Sequence, residues 1–350
     1  MTRVLTYPDI DPQQWQQLIE RSLYATWFQT DEAYRFYQSV GGMQAFAYGV
    51  SEDDNLVGLV VGYTTQEKCK FQQHFTARSI IVGGPLLADN ISDEALTALL
   101  EAIRNPHYSE PSERSTATRS TASQASDLQA QPIYVEIRNF HDYSRWKSVF
   151  THSGFAYQPH YDIHVHCSAQ HRLSERRQRE LKRALKNGAE IVEASSEQEI
   201  RDWYQILSQL YREKVRTPLF SEDFFLQFHR NGVGKYLLVK YEGKVIGGMM
   251  CPILDGRAIY EWYVCGLDEE YRELYPSVVA THAAIEYAKQ NDIPLFDFMG
   301  AGVPDQPYGV RDFKMEFGGE LVEFGRFLCV RRPLLYWIGK MGVKWLKRKK

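Results

Sequence analysis

Residues 258–302 read AIYEWYVCGLDEEYRELYPSVVATHAAIEYAKQNDIPLFDFMGAG, and after a short loop residues 309–320 read GVRDFKMEFGGE. Tyr260 to Leu267 has the aromatic and β-branched content of a buried strand. Val279, His282, Ala283, Glu286 and Tyr287 follow at helical spacing. Pro294 then interrupts, and Leu295 to Met299 is a second apolar strand. It closes at Gly300-Ala301-Gly302, where the backbone can open or turn. Strand, helix, strand in that order predicts two neighbouring strands joined by a crossover helix. Arg311, Lys314 and the turn Phe317-Gly318-Gly319 lie beyond the second strand. A cation held close to such strand ends is where the chemistry is expected.

Outward from this stretch, the sequence is that of an ordinary globular protein. At 350 residues with 44% hydrophobic side chains it has enough material for two domains, or one large one. A net charge of −3 excludes binding of polyanions by bulk charge. Two local patches are nevertheless basic. Residues 172–186 hold seven Lys and Arg against two acids, and residues 331–350 hold eight and no acid. Five scattered cysteines with no CxxC spacing predict free thiols in a reducing compartment and argue against structural zinc. The first residues lack the apolar core of a signal peptide, and no apolar run reaches the ~20 residues of a membrane span. A soluble, cytoplasmic protein is expected, attached at most to the inner face of a membrane.

The order of elements hints at duplication. A helix capped by Asp11-Pro12, a helix over 31–40 and a hairpin over 45–63 open the chain. Helices over 196–213 and 221–229 and a hairpin over 236–254, turning at Glu242-Gly243-Lys244, repeat that order. The domain boundary is expected near residues 157–170. Residues 105–131 are rich in Ser, Thr and charge, and read as a mobile insertion.

Three further features bear on function. His164 and His166 share one strand face and could chelate a metal, but no acid or cysteine stands at a suggestive spacing apart from Cys167, which points to the opposite face, and packing or a surface role is the alternative. Arg172, Arg176, Arg179, Arg183 and Lys186 fall at steps of 4, 3, 4 and 3, stacking five cations on one side of a helix. Leu181, Ala184 and Leu185 point elsewhere and can dock it. A solvated face explains many such runs, but repulsion along the stripe favours an anionic ligand such as phosphate. In the tail, Leu334, Ile338, Met341 and Trp345 share a helical face with lysines off it. That is the pattern of an interfacial membrane anchor, or of a terminal helix docked on its own domain.

The stretch 267–276, LDEEYRELYP, has four acids and no glycine. A strand-to-helix junction that cradles a carrier's diphosphate needs glycines and free amides, and acids there repel a diphosphate. Asn231-Gly232-Val233-Gly234-Lys235 superficially resembles a nucleotide loop but lacks its preceding glycine and following Ser/Thr.

The pattern Phe296-Asp297-Phe298-x-Gly300, then Gly309-x-x-x-Phe313-Lys314-x-x-Phe317-Gly318-Gly319, resembles the closing signature of the FemABX aminoacyltransferases. These build peptidoglycan cross-bridges and belong to the GNAT acyltransferase superfamily. Arg176-Arg177-Gln178-x-x-Leu181-Lys182-x-Ala184-x-Lys186-Asn187-Gly188 is similar to the family's basic helix, and Leu274-Tyr275-Pro276 also matches. The resemblance covers most of residues 1–330 and is strongest from Arg176 to Glu320. It implies an α/β fold with mixed sheets: two tandem GNAT-like domains, 1–165 and 166–330, facing across a cleft, followed by the basic tail 331–350. The long coiled-coil arm of some members is absent.

The implied reaction is transfer of an amino acid from aminoacyl-tRNA to an amine of a lipid- or nucleotide-linked muropeptide, with no cofactor and no metal. Lys314 is the implied cation for the oxyanion, with Tyr260 or Tyr263 orienting the ester or relaying a proton. Arg176 and Arg179 are expected to hold a substrate diphosphate, with Lys182, Arg311 and Asp297 also in substrate binding. Asp312, Glu316 or Asp297 are alternative partners that would make Lys314 a purely structural cation. The family's phosphate-binding lysine of the first domain has no match; Arg35 is the nearest basic residue after Trp27. Two other readings stay open: an N-acyltransferase of cell-surface polysaccharide or lipid assembly using another acyl carrier, and a non-catalytic scaffold at the membrane.

Overall fold

The computed structural model describes residues 1–65, 76–104, 132–168 and 170–348. The insertion expected over 105–131, and Cys69, lie outside the described residues. The chain divides into two compact units: Met1–Tyr37, Gly42–Gln158 and Arg326–Lys350 form the first, and Gln38–Gly41 with Pro159–Gly325 the second.

In chain order the first part contains β1 (Thr2–Thr6), α1 (Pro12–Arg21), α2 (Asp31–Ser39), β2 (Met43–Glu52), β3 (Asn55–Thr65), β4 (Ser79–Gly83), β5 (Leu86–Leu87), α3 (Asp93–Arg104), β6 (Tyr134–Asn139), α4 (Lys147–His152) and β7 (Ala156–Gln158). There follow β8 (Tyr161–His166), α5 (Glu175–Lys186), β9 (Glu190–Glu193), α6 (Glu197–Leu210), α7 (Glu222–Arg230), β10 (Gly234–Tyr241), β11 (Lys244–Leu254), β12 (Ala258–Tyr260), β13 (Tyr263–Gly266), α8 (Pro276–Gln290) and β14 (Leu295–Asp297). The chain ends with α9 (Gly309–Met315), β15 (Glu320–Glu323), β16 (Arg326–Val330) and α10 (Pro333–Arg348).

Each unit holds one mixed sheet. The first runs β1-β2-β3-β4-β6-β16-β7, with β5 beside β3; the second runs β15-β8-β14-β12-β11-β10-β9, with β13 beside β11. The two follow one plan. A short strand (β1, β9) leads into two helices, then into a hairpin (β2–β3, β10–β11) whose first strand pairs antiparallel with that leading strand. A crossover through a helix then joins two parallel strands, β4 to β6 and β12 to β14. The local signals explain these elements. Asp11 accepts a hydrogen bond from the Gln13 amide and Pro12 opens α1. Ser196 and Glu199 form a capping box at the start of α6. Glu242 and Gly243 turn the second hairpin with φ of 48° and 76°, the left-handed values that a two-residue hairpin turn needs.

Two expectations are corrected. The chain crosses from the first sheet to the second between β7 and β8, inside the expected 157–170, but the second unit does not run on to residue 330. β8 joins β14 and β15 in the second sheet, and β16 returns to pair with β6 and β7 in the first. Hydropathy cannot distinguish these assignments, because an apolar strand reads alike in either sheet. The expected single strand over 260–267 is two. β12 pairs with β11 and β14, whereas β13 pairs with β11 alone. At the break the Glu261 amide donates to Asp297 O at 2.9 Å and the Trp262 amide to Met250 O at 3.1 Å, so consecutive residues bond to opposite neighbours. The strand therefore peels away from β14 here and turns Glu261 inward.

Helix α8 is buried nearly all round, through Val278, Val279, Ala280, Thr281, Ala283, Ala284, Ile285 and Ala288. Its small side chains allow close packing on the sheet. At its start, a Cβ on Gly266 would stand 2.7 Å from the Ser277 amide nitrogen, and one on Gly247, its cross-strand partner, 3.0 Å from Pro276. Glycine at both positions is what lets the helix terminus approach β11 and β13.

Candidate active site

At the end of β14 the backbone turns sharply, with Met299 at φ 55° and Gly300 at φ 133°. Lys314, on α9, reaches back to this turn. Its Nζ donates to Phe298 O and Gly300 O, both at 2.9 Å, and lies 2.9 Å from Glu261 Oε1. Both charged side chains are nearly buried, at 11% and 5% exposure. All three ammonium protons thus have acceptors. Gly318 holds the far end of α9 in place: it sits at φ 78°, and a Cβ there would stand 2.3 Å from Arg172 O.

Beside the Lys314–Glu261 pair lies a second buried polar group. Asp162 and His164 alternate along one face of β8, and Asp297 stands opposite His164 on β14. Asp162 Oδ1 accepts from the Ile163 and Gly300 amides at 2.7 Å each, and Asp297 Oδ1 accepts from the Met299 amide at 2.6 Å. His164 Nε2 and Asp297 Oδ2 lie 3.3 Å apart, both buried and neither in a hydrogen bond. Burial, reinforced by the charge of Asp297, pushes the Asp162 carboxyl well above the usual carboxylate range. Burial pulls the other way on His164, but Asp297 prevails and its imidazole is raised. Burial also raises Glu261, against the opposing pull of Lys314. Among the described residues, Asp162, His164 and Asp297 are a group whose ligand atoms lie within 4.8 Å of one another.

The strand-to-helix junction before α8 is acidic in structure as in sequence. Asp268 Oδ1 accepts from the Ser277 amide at 3.0 Å, and its other oxygen accepts from the Ser277 hydroxyl. A carboxylate therefore occupies the helix start, the position where a phosphate would meet free amides. Glu269 pairs with Lys214 and Glu273 with Arg183.

A family model described as an acetyltransferase (GNAT) domain matches residues 171–315. The solved structure of FemX aligns over 96% of this chain and 99% of its own, with a TM-score of 0.66 at 13% identity. This chain has a FemABX-like fold. A tandem GNAT protein from the clavulanic acid biosynthesis pathway aligns over 94% of this chain and 98% of its own, with a TM-score of 0.54 at 9% identity, in agreement with two GNAT-like domains. The structure of L-PGS from Bacillus licheniformis aligns over 92% of each chain, with a TM-score of 0.53 at 12% identity. None of the curated proteins matches the chain by sequence.

Within this FemABX-like fold the residues singled out from the sequence separate into groups. Lys314, Asp297 and Tyr260 come together at the β12–β14 strand ends, where Tyr260 stands opposite Asp297. Asp297, expected to bind substrate, is 1% exposed and faces the interior, because its place opposite His164 on a central strand points it into the layer. Arg311 donates to Ala301 O at 2.8 Å and Val303 O at 2.6 Å, fastening the loop after β14. Tyr263 packs edge-on against Phe225 at 5.1 Å in an aromatic cluster.

The expected cationic stripe on α5 is partly neutralised. Arg176 pairs with Glu180 and Glu316, Arg179 with Glu175 and Arg183 with Glu273, while Lys182 is exposed and Arg179 is 75% exposed. Arg177 lies off this stripe. It is buried, pairs with Glu180 and with Glu316 at 2.8 Å, and lies 4.3 Å over the Phe313 ring. Its signal was the spacing 177, 181, 184: a cation on the docking face rather than on the stripe. Asp162 and Glu261 were missed, since their partners are distant in sequence. His166, proposed as the companion of His164, is exposed and stands 3.8 Å from Glu320.

Proposed function

We propose that this chain is an aminoacyltransferase that moves an amino acid from aminoacyl-tRNA to an amine of a lipid- or nucleotide-linked peptidoglycan precursor. The observation that carries this reading is Asp268 at the start of α8. In a GNAT fold that helix start is the natural cradle for a carrier's diphosphate. Here it meets a carboxylate, with three more acids close behind, which favours a donor that needs no such cradle. The ester of an aminoacyl-tRNA is such a donor.

In the proposed reaction the acceptor amine attacks the ester carbonyl and forms the C–N bond. The tetrahedral oxyanion collapses, the C–O bond to the ribose breaks, and the proton lost by the amine ends on the ribose oxygen. Lys314 is the fixed positive charge behind the developing oxyanion. Tyr260 and Tyr263 flank the strand break and are assigned to orienting the ester. Arg176, Arg179 and Lys182 on the exposed face of α5 are assigned to the acceptor's phosphates, with Arg311 holding the loop beside them.

The acceptor's lipid-linked form is favoured by the tail. Leu334, Trp337, Ile338 and Met341 are 71%, 60%, 52% and 50% exposed and fall on one face of α10. Tyr336, on the opposite face, packs its ring on Tyr134 at 5.6 Å. The helix is thus docked by one side and offers an apolar stripe on the other, and its sequence ends in basic residues, as does that of a helix lying on an anionic membrane surface. Among the described residues no helix is long and apolar enough to cross a membrane.

The test mixes the purified chain with labelled lipid- or UDP-linked muropeptide and either charged tRNA or acyl-coenzyme A. Transfer from charged tRNA is expected. Transfer from acyl-coenzyme A alone would overturn the reading in favour of a conventional N-acyltransferase.

A further inference from the structure

We infer that Asp162, His164 and Asp297 form a binding site for a divalent transition-metal ion, with zinc as the best fit, clamping β8 to β14 beneath the Met299–Gly302 turn. Three observations support it. The first is how each carboxylate is held. Asp162 and Asp297 each commit Oδ1 to backbone amides, which fixes their orientation and leaves Oδ2 to offer. Ligands oriented through the atom they do not offer are the usual construction of a metal site.

The second is a contact that satisfies neither atom fully. Asp297 Oδ2 and His164 Nε2 are buried and stand 3.3 Å apart as an ion pair that lacks hydrogen-bond geometry. Burying both groups for such a pair is costly. Ligands about 2.0–2.1 Å from a tetrahedral ion stand roughly 3.3–3.4 Å from one another. The observed separation suits two ligands of one ion better than it suits a misaligned hydrogen bond. The third is proximity. One ligand atom from each of Asp162, His164 and Asp297 lies within 4.8 Å of the others, close enough for a single ion to reach all three. Three protein ligands of this kind leave a coordination position for water.

Metal binding is tested without the transfer reaction. The full chain is purified without a metal-affinity step, stripped with a chelator, and titrated separately with zinc and cobalt(II). One equivalent of each is expected, with a visible cobalt spectrum of low coordination number. X-ray absorption of the zinc-loaded wild type should show one imidazole among oxygen ligands. His164→Gln and Asp297→Asn should each weaken zinc binding by more than about tenfold. His166→Ala, at an exposed position, should leave it unchanged. A wild-type chain that takes up neither ion at stoichiometric level overturns the inference. So does a spectrum with two imidazoles or a thiolate, loss of binding in His166→Ala, or unchanged affinity in folded His164→Gln and Asp297→Asn chains. Because the X-ray absorption and His166→Ala results need no core substitution, instability of the buried variants does not blunt the test.

Discussion

Lys314 Nζ stands 2.9 Å from Glu261 Oε1, and this ion pair joins α9 to the point where the strand after β12 breaks. The same ammonium holds the carbonyls of Phe298 and Gly300. One cation therefore fixes three backbone segments at the strand ends. Its removal has structural and chemical consequences that must be separated.

Lys314→Met alone leaves the Glu261 carboxyl buried without its cation. A loss of about 3–5 kcal/mol is expected, read as a lowered urea midpoint. The double variant Lys314→Met/Glu261→Gln removes both charges and should recover much of that loss. If Lys314 stabilises the oxyanion, the folded double variant still loses transfer by about 10²–10³-fold while retaining acceptor binding. Near-normal turnover in the double variant would restrict Lys314 to holding the loop.

Arg177 and Arg179 should respond oppositely. Arg177→Ala takes the buried guanidinium from Glu180 and Glu316 and leaves them only the exposed Arg176, so a loss of about 2 kcal/mol is expected by thermal or urea unfolding. Arg179→Ala removes an exposed pair and should cost under about 1 kcal/mol. With Lys182→Ala it should instead raise KM for a phosphorylated acceptor and leave kcat little changed. Equal stability losses at the two positions would contradict the assignment of Arg177 as the clamp.

Returning strand β16 predicts an acid-sensitive step. Arg326 Nη1 donates to Glu136 Oε1 at 3.0 Å, and Arg138 donates to the other oxygen. Burial alone would raise Glu136, but the two guanidinium groups outweigh it and hold the carboxyl at about 2. A depressed carboxyl stabilises the fold above its unfolded value, and that contribution disappears as pH falls through the folded one. Roughly 3 kcal/mol should be lost between about pH 4.5 and pH 2. Arg326→Gln should make the urea midpoint less steep over that window; an unchanged slope would mean that the pair contributes nothing.

At the start of α8, Asp268→Ala removes the acceptor for the Ser277 amide and hydroxyl. Loss of such a cap costs about 1 kcal/mol, visible as a lower thermal midpoint. Calorimetry with acetyl-coenzyme A should detect no binding before or after the change, since Glu269, Glu270 and Glu273 remain. Tight binding to the wild type would refute the argument made from this helix start.

For the tail, Leu334→Glu/Trp337→Glu should abolish co-sedimentation with anionic vesicles while leaving the unfolding midpoint unchanged, because both side chains are largely exposed. Raised salt should weaken wild-type binding through screening of the basic end. Equal binding to neutral and anionic vesicles would remove the electrostatic part of this account.

Local patterns in the sequence were enough to determine the strand-helix-strand core at 258–299, both hairpins, the cap of α1, the acidic junction before α8 and the amphipathic tail. Each depends on neighbours within a few residues, where spacing alone sets which side chains share a face. Only tertiary structure decided that β8 and β16 exchange between sheets, that the strand divides at Glu261, and that Lys314 is paired with Glu261 rather than with Asp312, Glu316 or Asp297. It also decided that Asp162, His164 and Asp297 meet. Asp162 and His164 already lay on one face of β8, but Asp297 is on a strand more than a hundred residues away, and its register against β8 brought the three together. Register comes from the packing of a whole sheet, and no single segment encodes it.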